Sequence, residues 1–211
     1  MKIICIGRNY AEHAAELGNE LPAEPLLFGK FENTVVGPGE AIVLPLESTH
    51  TDAEAELAVE IGRGGRRIAE DDALDFVAGY RCANDVSARN LQFGDGQWTR
   101  GKGFDTFCPL GDRLVSVSEL GEGGGLRVIQ RLNGDVLQDG NTDDLIFGVR
   151  HLVAFASNVF TLDAGDLILT GTPPGIGYAR DPKISLADGD VVEVEVEGIG
   201  VLRNPVVAER P

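Results

Sequence analysis

The chain has few of the residues that disulfide frameworks or nucleic-acid binding require. Only 3 of its 211 residues are cysteines, and none of them forms a C-x-x-C pair. An odd, scattered set indicates buried thiols in a reducing compartment and not a disulfide framework. Lysine and arginine number 18 against 34 acidic residues, which gives a formal net charge of −16. This balance argues against a nucleic-acid partner, and an anionic substrate would need a local cation or a bound metal.

Long hydrophobic runs are also absent. The first apolar run ends at Gly7, which is too short for the core of a signal peptide. No segment approaches the ~18 consecutive apolar residues of a membrane span. We therefore expect a cytoplasmic protein with no membrane partner. The length favours one domain over residues 1–211, and a chain of this size buries roughly 70% of its unfolded surface.

Short strands dominate the pattern of apolar residues. Residues 53–61 alternate with a period of two, which predicts a strand. Asn133 and Gly134 separate two strand-like segments at 126–132 and 135–138, which predicts a hairpin. The clearest helix is expected at 149–159, and shorter helices are expected at residues 10–17 and 71–76. Because strands and helices do not alternate regularly, a Rossmann fold or a parallel barrel is disfavoured.

Three carboxylates are candidates for a metal site. Glu54 and Glu56 are two residues apart on one strand, so both lie on the same face. They repel each other unless water or a cation intervenes. Glu60 continues the row, so a solvent-facing strand edge is an open alternative. Asp85 ends the next strand and is either a turn residue or a functional group. Together the three would suit a hard cation such as magnesium, which takes oxygen ligands.

Further polar residues could have either a chemical or a purely structural role. His13 and Glu16 share a helix face, so Glu16 could orient the imidazole as a general base, although this spacing also suits an exposed polar pair. Glycines flank Lys102, which permits close approach of a ligand or an ordinary surface lysine. Thr172 lies in a Gly/Pro-rich segment without the phosphate-loop pattern, so it belongs either to a rigid turn or to a substrate loop.

The order of five sequence blocks resembles the fumarylacetoacetate hydrolase family. The blocks are residues 7–10 with His13, Glu16 and 28–30; then 54–59; 84–92; 102–111; and 167–177. Each block is weak alone, but together they follow the order of the family and cover nearly the whole chain. The first block begins close to residue 1. The chain is therefore similar to the short members, such as acylpyruvate hydrolases and oxaloacetate decarboxylases, which lack the extra N-terminal domain of the enzyme that names the family.

The resemblance implies a fold, an assembly and a set of site residues. It implies a β-rich α+β fold, a roll of mixed sheets with few short helices, and a homodimer. It also implies a Mg²⁺ or Mn²⁺ site at Glu54, Glu56 and Asp85. His13, oriented by Glu16, would activate a water, and Lys102 would stabilise an oxyanion. The residues that would hold the substrate or the water are Arg89, Gln92 and Thr172.

The implied reaction is metal-dependent cleavage of a carbon–carbon bond. The substrates would be acylpyruvates, 2,4-dioxo acids such as fumarylpyruvate or acetylpyruvate, which give pyruvate and a carboxylic acid through a stabilised enolate. The same enolate would serve an oxaloacetate decarboxylase, an oxaloacetate enol–keto tautomerase or a 2-hydroxyhepta-2,4-diene-1,7-dioate isomerase. A non-catalytic metal-binding protein is an alternative of another class, because fold alone does not fix function. His13, Glu16 and Lys102 argue against it, since metal binding does not need them.

Overall fold

The computed structural model describes residues 1–18 and 20–210. The strands are β1 (Ile3–Gly7), β2 (Leu26–Lys30), β3 (Val35–Val36), β4 (Ile42–Leu44), β5 (Thr51–Asp52), β6 (Ala55–Ile61), β7 (Val77–Asn84), β8 (Ser87–Ala88), β9 (Cys108–Pro109), β10 (Arg127–Leu132), β11 (Asp135–Asn141), β12 (Leu167–Leu169), β13 (Val191–Val196) and β14 (Gly200–Ala208). The α-helices are α1 (Ala11–Glu16), α2 (Arg89–Asp95), α3 (Thr99–Lys102), α4 (Val117–Leu120) and α5 (Val149–Val159). Short 3₁₀ helices are Glu32–Thr34, Glu70–Phe76, Thr142–Asp144 and Gly177–Ala179.

Two five-stranded mixed sheets form the framework. The first has the order β2-β1-β12-β6-β7, and the second has the order β11-β10-β13-β14-β4. In the first sheet only β1 and β12 run parallel, and in the second only β14 and β4 do so. The helices are few and short, and α5 is the longest with 11 residues. The predicted β-rich α+β fold of mixed sheets is thereby confirmed.

Strand β6 lies between β12 and β7 and separates two environments. Its residues Leu57, Val59 and Ile61 belong to the largest apolar cluster, which also contains residues of β10, β13 and α5. Ala58, on the opposite face, packs in a second cluster with residues of β1 and β12. The period-two pattern of residues 53–61 thus orients the strand, but both of its faces are buried.

The predicted hairpin is confirmed, and its turn has the expected backbone. Asn133 and Gly134 both have positive φ, 53° and 92°, and they join β10 to β11. Two-residue hairpin loops of the Asn-Gly type favour this left-handed conformation. β11 extends to Asn141, beyond the predicted end at residue 138. β14 is not indicated by the sequence, because Pro205 interrupts its apolar pattern and proline is uncommon within strands.

Two predicted helices differ in detail from the structure. The segment predicted as a helix at residues 10–17 forms α1 over Ala11–Glu16, with Tyr10 as its N-cap residue. The segment around residues 71–76 is a 3₁₀ helix and not an α-helix. Within residues 1–18 and 20–210, none of the helices has the length and hydropathy needed to cross a membrane.

Candidate active site

The pairing of β6 with β7 brings three acidic side chains together. Glu54 immediately precedes β6, Glu56 lies within it, and Asp85 follows the last residue of β7. Ala55 pairs with Asn84 across the two strands, so Asp85 comes to lie beside the two glutamates. One carboxylate oxygen from each of the three residues lies within 4.8 Å of the others. All three side chains are buried, so the solvent-facing edge considered for Glu54 and Glu56 is not what the structure has.

Buried cations neutralise part of this acidic triad. The Lys102 Nζ atom lies 2.7 Å from Glu54 Oε2 and 2.6 Å from Asp85 Oδ2. Arg89 Nη2 lies 2.7 Å from Glu54 Oε1. Burial alone would raise the pKa of Glu54, but the charges of Lys102 and Arg89 outweigh burial and hold that pKa well below its usual range. Glu54 is therefore an ionised carboxylate.

Lys30 supports Asp85 from the other side. Its Nζ atom lies 2.8 Å from Asp85 Oδ1, and its side chain is fully buried. It donates hydrogen bonds to the carbonyl oxygens of Val86, Lys102 and Phe107. Because these three bonds use all three N–H donors of Lys30, its contact with Asp85 is an ion pair and not an aligned hydrogen bond. In agreement, Asp85 Oδ1 accepts no hydrogen bond from the described residues.

Glu56 is the carboxylate whose charge is not compensated. No basic side chain among the described residues forms an ion pair with it, and its Oε2 atom accepts one hydrogen bond, from the Gly171 amide, at 2.7 Å. Burial and the neighbouring charges of Asp85 and Glu54 raise the pKa of Glu56 well above its ordinary value. A divalent cation would remove this conflict, and three carboxylates are a donor set that hard metal ions prefer. The triad can therefore hold a metal ion.

His13 and Glu16 lie on α1, and His13 lines a cleft beside the acidic triad. The cleft has a volume of about 360 Å³, and His13, Glu54, Glu56 and Lys102 are among its lining residues. His13 Nδ1 lies 2.6 Å from Glu16 Oε1. Glu16 Oε2 accepts a hydrogen bond of 2.9 Å from the Gly175 amide. A carboxylate held at Nδ1 fixes the imidazole ring and leaves Nε2 for proton transfer.

The three predicted substrate-binding residues also line the cleft. Arg89 pairs with Asp52, with Nη2 2.8 Å from Oδ2, and donates a 3.0 Å hydrogen bond to Gln92 Oε1. The Thr172 hydroxyl donates to the Ala55 carbonyl at 2.9 Å. These side chains are thus positioned by the protein itself, and their contact with a substrate stays a prediction.

Three residues support the site although the sequence alone did not indicate a role for them: Lys30, Asp52 and Gln138. Asp52 accepts hydrogen bonds from the amides of Gly177 and Tyr178, each at 3.0 Å, and so connects the Gly/Pro-rich segment to Arg89. Lys30 is the last residue of the first family block, and that position was the only indication in the sequence of a role in the site. Gln138 accepts a hydrogen bond from the Ala55 amide at the start of β6, and nothing in the local sequence indicates that contact.

A family comparison agrees with this architecture. The family model described as "Fumarylacetoacetate (FAA) hydrolase C-terminal" matches residues 2–207. The chain belongs to this family, whose members are enzymes, and the resemblance drawn from the sequence blocks is confirmed.

Individual relatives carry out related reactions. The mitochondrial oxaloacetate tautomerase fahd2 of Xenopus laevis is 48% identical over 98% of the chain, which spans 65% of that relative's length. A 2-hydroxyhepta-2,4-diene-1,7-dioate isomerase structure from Mycobacterium marinum is 41% identical with a TM-score of 0.88, over 100% of this chain and 75% of that one. Fumarylpyruvate hydrolase from Pseudomonas aeruginosa, in complex with Mn²⁺ and pyruvate, is 32% identical with a TM-score of 0.90, over 99% of this chain and 90% of that one.

Proposed function

We propose that the chain is a divalent-metal-dependent enzyme that interconverts the enol and keto forms of a small 2-oxo acid, with oxaloacetate as the leading substrate. The observation that supports this most is that one cleft is lined by two members of the acidic triad and by His13, whose ring Glu16 holds through Nδ1. Similarity to oxaloacetate tautomerases supports oxaloacetate as the substrate. Enol–keto conversion needs stabilisation of negative charge on oxygen and a group that exchanges a proton, and the cleft contains residues suited to both tasks.

Glu54, Glu56 and Asp85 would hold the metal ion, for which Mg²⁺ and Mn²⁺ are our candidates. The fit rests on the donor set and on the uncompensated charge of Glu56. The Mn²⁺ in the fumarylpyruvate hydrolase structure is consistent with this choice. When bound, the cation would supply Lewis acidity toward the keto and carboxylate oxygens of a 2-oxo acid.

The chain's own residues would position the substrate and move the proton. His13 would exchange the proton at the carbon next to the keto group through Nε2, while Glu16 stabilises the imidazolium that forms. The Gly175 amide holds Glu16 in place. Lys102 would add positive charge near the developing enolate oxygen. Arg89, Gln92 and Thr172 would orient the substrate carboxylate.

Hydrolysis of acylpyruvates is our second candidate. The same His13–Glu16 pair could activate a water for attack on the distal carbonyl, which is the reaction first expected from the sequence. Similarity to fumarylpyruvate hydrolase favours it, at lower identity than the similarity to the tautomerase. Decarboxylation of oxaloacetate and isomerisation of a hydroxy-diene-dioate would use the same enolate, and they belong in the same substrate panel.

Two parallel assays test the proposal. Loss of enol oxaloacetate is followed by its ultraviolet absorbance with Mg²⁺ alone and with Mg²⁺ plus protein. Pyruvate release is measured from acetylpyruvate, fumarylpyruvate and oxaloacetate. A tautomerase accelerates enol loss well beyond the rate with metal alone and releases little pyruvate. Unaccelerated enol loss together with rapid pyruvate formation from an acylpyruvate would instead establish the hydrolase.

Assembly and location also remain proposals. We propose a homodimer that acts on a small molecule, without nucleic-acid or membrane partners, with residues 1–211 forming one catalytic domain. Light scattering should give about twice the chain mass of 22.4 kDa, and a monomer at working concentration would contradict the dimer. The cytoplasmic location is still a prediction, and the Xenopus relative is named as mitochondrial.

A further inference from the structure

Among the described residues, Arg8 is the arginine of the cleft that has no acidic partner. Besides His13, three arginine or lysine side chains line the cleft, Arg8, Arg89 and Lys102. Lys102 and Arg89 are both paired with buried carboxylates. Across residues 1–18 and 20–210, no carboxylate lies within ion-pair distance of the Arg8 guanidinium, which instead lies 5.6 Å from the centre of the Trp98 ring. Arg8 is therefore the cation of the cleft that is available to an incoming anion.

The backbone holds Arg8 in an unusual conformation. Its φ is +58°, in the left-handed region that long side chains rarely adopt. The next residue, Asn9, is fully buried and donates hydrogen bonds to the carbonyls of Phe147 and Thr170 at 3.0 and 2.8 Å. Its Oδ1 atom accepts a 2.8 Å bond from the Phe147 amide. Because these contacts fix the chain next to Arg8, the surrounding structure maintains the strain, which is typical of binding sites.

Trp98 fixes the position of the guanidinium from the other side. Its ring packs against Gly7, where an added Cβ would lie 2.8 Å from a ring carbon. It also meets Phe28 edge-on, with ring centres 5.1 Å apart. Arg8 itself is half-buried, whereas Lys102 and Glu54 are buried. The free cation thus lies nearer to solvent than the acidic triad, in the same cleft and against an aromatic wall.

We propose that Arg8 binds the second carboxylate of a dicarboxylic substrate, so that the site selects 2-oxo dicarboxylates over 2-oxo monocarboxylates. This inference rests on the proposed function, since it assumes that the first carboxylate and the keto group lie near the triad. A guanidinium matches a carboxylate with two parallel hydrogen bonds. In a chain of net charge −16, an uncommitted cation is also what attracts a dianion into the cleft.

The first test compares two substrates that differ at the distal group. Oxaloacetate and 2-oxobutanoate share the 2-oxo acid but end in a carboxylate or a methyl group. Exchange of their carbon-3 hydrogens with deuterium is followed by NMR with Mg²⁺ and corrected for the metal-only rate. Arg8→Asn, which tolerates positive φ, should lower kcat/KM for oxaloacetate about 10- to 100-fold and that for 2-oxobutanoate less than about 3-fold.

Arg67 provides a matched control. It is also an arginine with positive φ, 52°, but it is exposed and does not line the cleft. Arg67→Asn should leave exchange on both substrates unchanged, and Arg8→Lys should recover part of the oxaloacetate rate because it keeps the charge. Equal losses on both substrates in Arg8→Asn would overturn the proposal, because Arg8 would then serve the fold or the shared chemistry.

A binding experiment separates this inference from the proposed function. Calorimetric titrations with malate and with 2-hydroxybutanoate, in Mg²⁺, need no turnover. The fluorescence of Trp98, the single tryptophan, gives a second measure of binding because its ring lies next to Arg8. Wild type should bind malate about 10-fold or more tightly than 2-hydroxybutanoate, and Arg8→Asn should remove that difference. If wild type shows the preference without catalysing exchange, only the proposed function fails. A missing preference, or one that Arg8→Asn retains, overturns the role of Arg8.

Discussion

Two regions meet at the cleft, and they are built in different ways. The acidic cluster, which comprises Glu54, Glu56, Asp85, Lys30 and Lys102, is held by paired strands and by ion pairs between its own members. The α1 segment, residues 8–16, carries Arg8, His13 and Glu16 on a loop and a six-residue helix without a side-chain cap. Changes in the acidic cluster should therefore affect metal binding and folding together, whereas changes in the α1 segment should affect chemistry and specificity alone.

The largest effect is expected from loss of the metal site. Treatment with a chelator should abolish turnover, and Mg²⁺ or Mn²⁺ should restore it. Glu56→Gln should weaken metal binding more than about 100-fold, because losing a direct ligand should exceed the cost of losing an outer-shell partner. The same variant should stabilise the metal-free protein, since it removes a buried carboxylate with no cationic partner. Calorimetric metal titration and urea unfolding with chelator measure the two effects.

Glu60→Gln is the control for this substitution. Glu60 lies on the same strand, is partly exposed and is paired with Arg81 at 2.6 Å, outside the cleft. Its substitution should change neither metal affinity nor turnover. Full activity of the chelated protein, or unchanged metal affinity in Glu56→Gln, would contradict both the metal site and the division between the two regions.

A smaller, purely catalytic loss is expected in the α1 segment. His13→Ala should lower kcat/KM by about 10²–10⁴-fold on a substrate that needs a proton exchanged, while metal affinity and unfolding stay close to wild type. Decarboxylation of oxaloacetate should suffer much less, because release of carbon dioxide needs no base. Steady-state kinetics on both reactions at saturating Mg²⁺ distinguish these outcomes. Equal losses would mean that His13 positions the substrate and is not the base.

A loss of folding stability is expected at Lys30, which pairs with the candidate metal ligand Asp85 but does not line the cleft. Lys30→Met removes the ion pair at Asp85 Oδ1 and leaves three buried carbonyl groups without their donor, while Lys102 still pairs with Asp85 Oδ2, so the free energy of unfolding should fall by about 3–5 kcal/mol. Urea unfolding measures it, and Lys183→Met, at an exposed lysine, is the control. Stability equal to wild type would show that the acidic cluster does not contribute to folding, and the contrast with the α1 segment would disappear.

The sequence identified the three carboxylates of the acidic cluster, but not the contacts that bury and neutralise them. The spacing of Glu54 and Glu56 correctly places both on one face of a strand, because side chains alternate along a strand. It could not show that this face is buried, since its burial depends on Arg89 of α2 and Lys102 of α3, which are distant in the sequence and contact Glu54. Lys30 and Asp52 meet their partners only through contacts between segments far apart in the chain, which no local pattern reports.

The α1 segment was the easier region to predict, since its residues are close together in sequence. His13 and Glu16 are three residues apart on one helix, and helical geometry alone brings them together. The hydrogen bond that fixes Glu16, from the Gly175 amide, comes from the other end of the chain and has no local signal. The left-handed φ of Arg8 likewise depends on contacts of Asn9 with distant segments and could not be predicted locally.

The smallest effect is expected where β1, the strand that leads into the α1 segment, joins β12. Asp166 accepts hydrogen bonds of 2.7 Å from both the amide and the Nζ atom of Lys2, and its side chain is buried. Burial opposes ionisation, but the hydrogen bonds from Lys2 outweigh it and lower the pKa of Asp166 from 3.8. A lowered pKa in the folded state means that the ionised carboxylate stabilises the fold above pH 3.8, and that this contribution is lost as the pH falls through the lowered value.

Asp166→Asn should therefore reduce the free energy of unfolding at pH 7 by about 1 kcal/mol, below the usual value for a charged hydrogen bond because Lys2 is partly exposed. The difference from wild type should shrink in acid, below the ordinary pKa of 3.8. Urea unfolding at neutral pH and near pH 3 tests this, with the more exposed Asp163→Asn as the control. Since β1 anchors the α1 segment without entering its chemistry, kcat/KM and metal affinity should not change. A catalytic loss in Asp166→Asn would mean that the α1 segment is coupled to the sheet beneath it and cannot be treated as an independent chemical region.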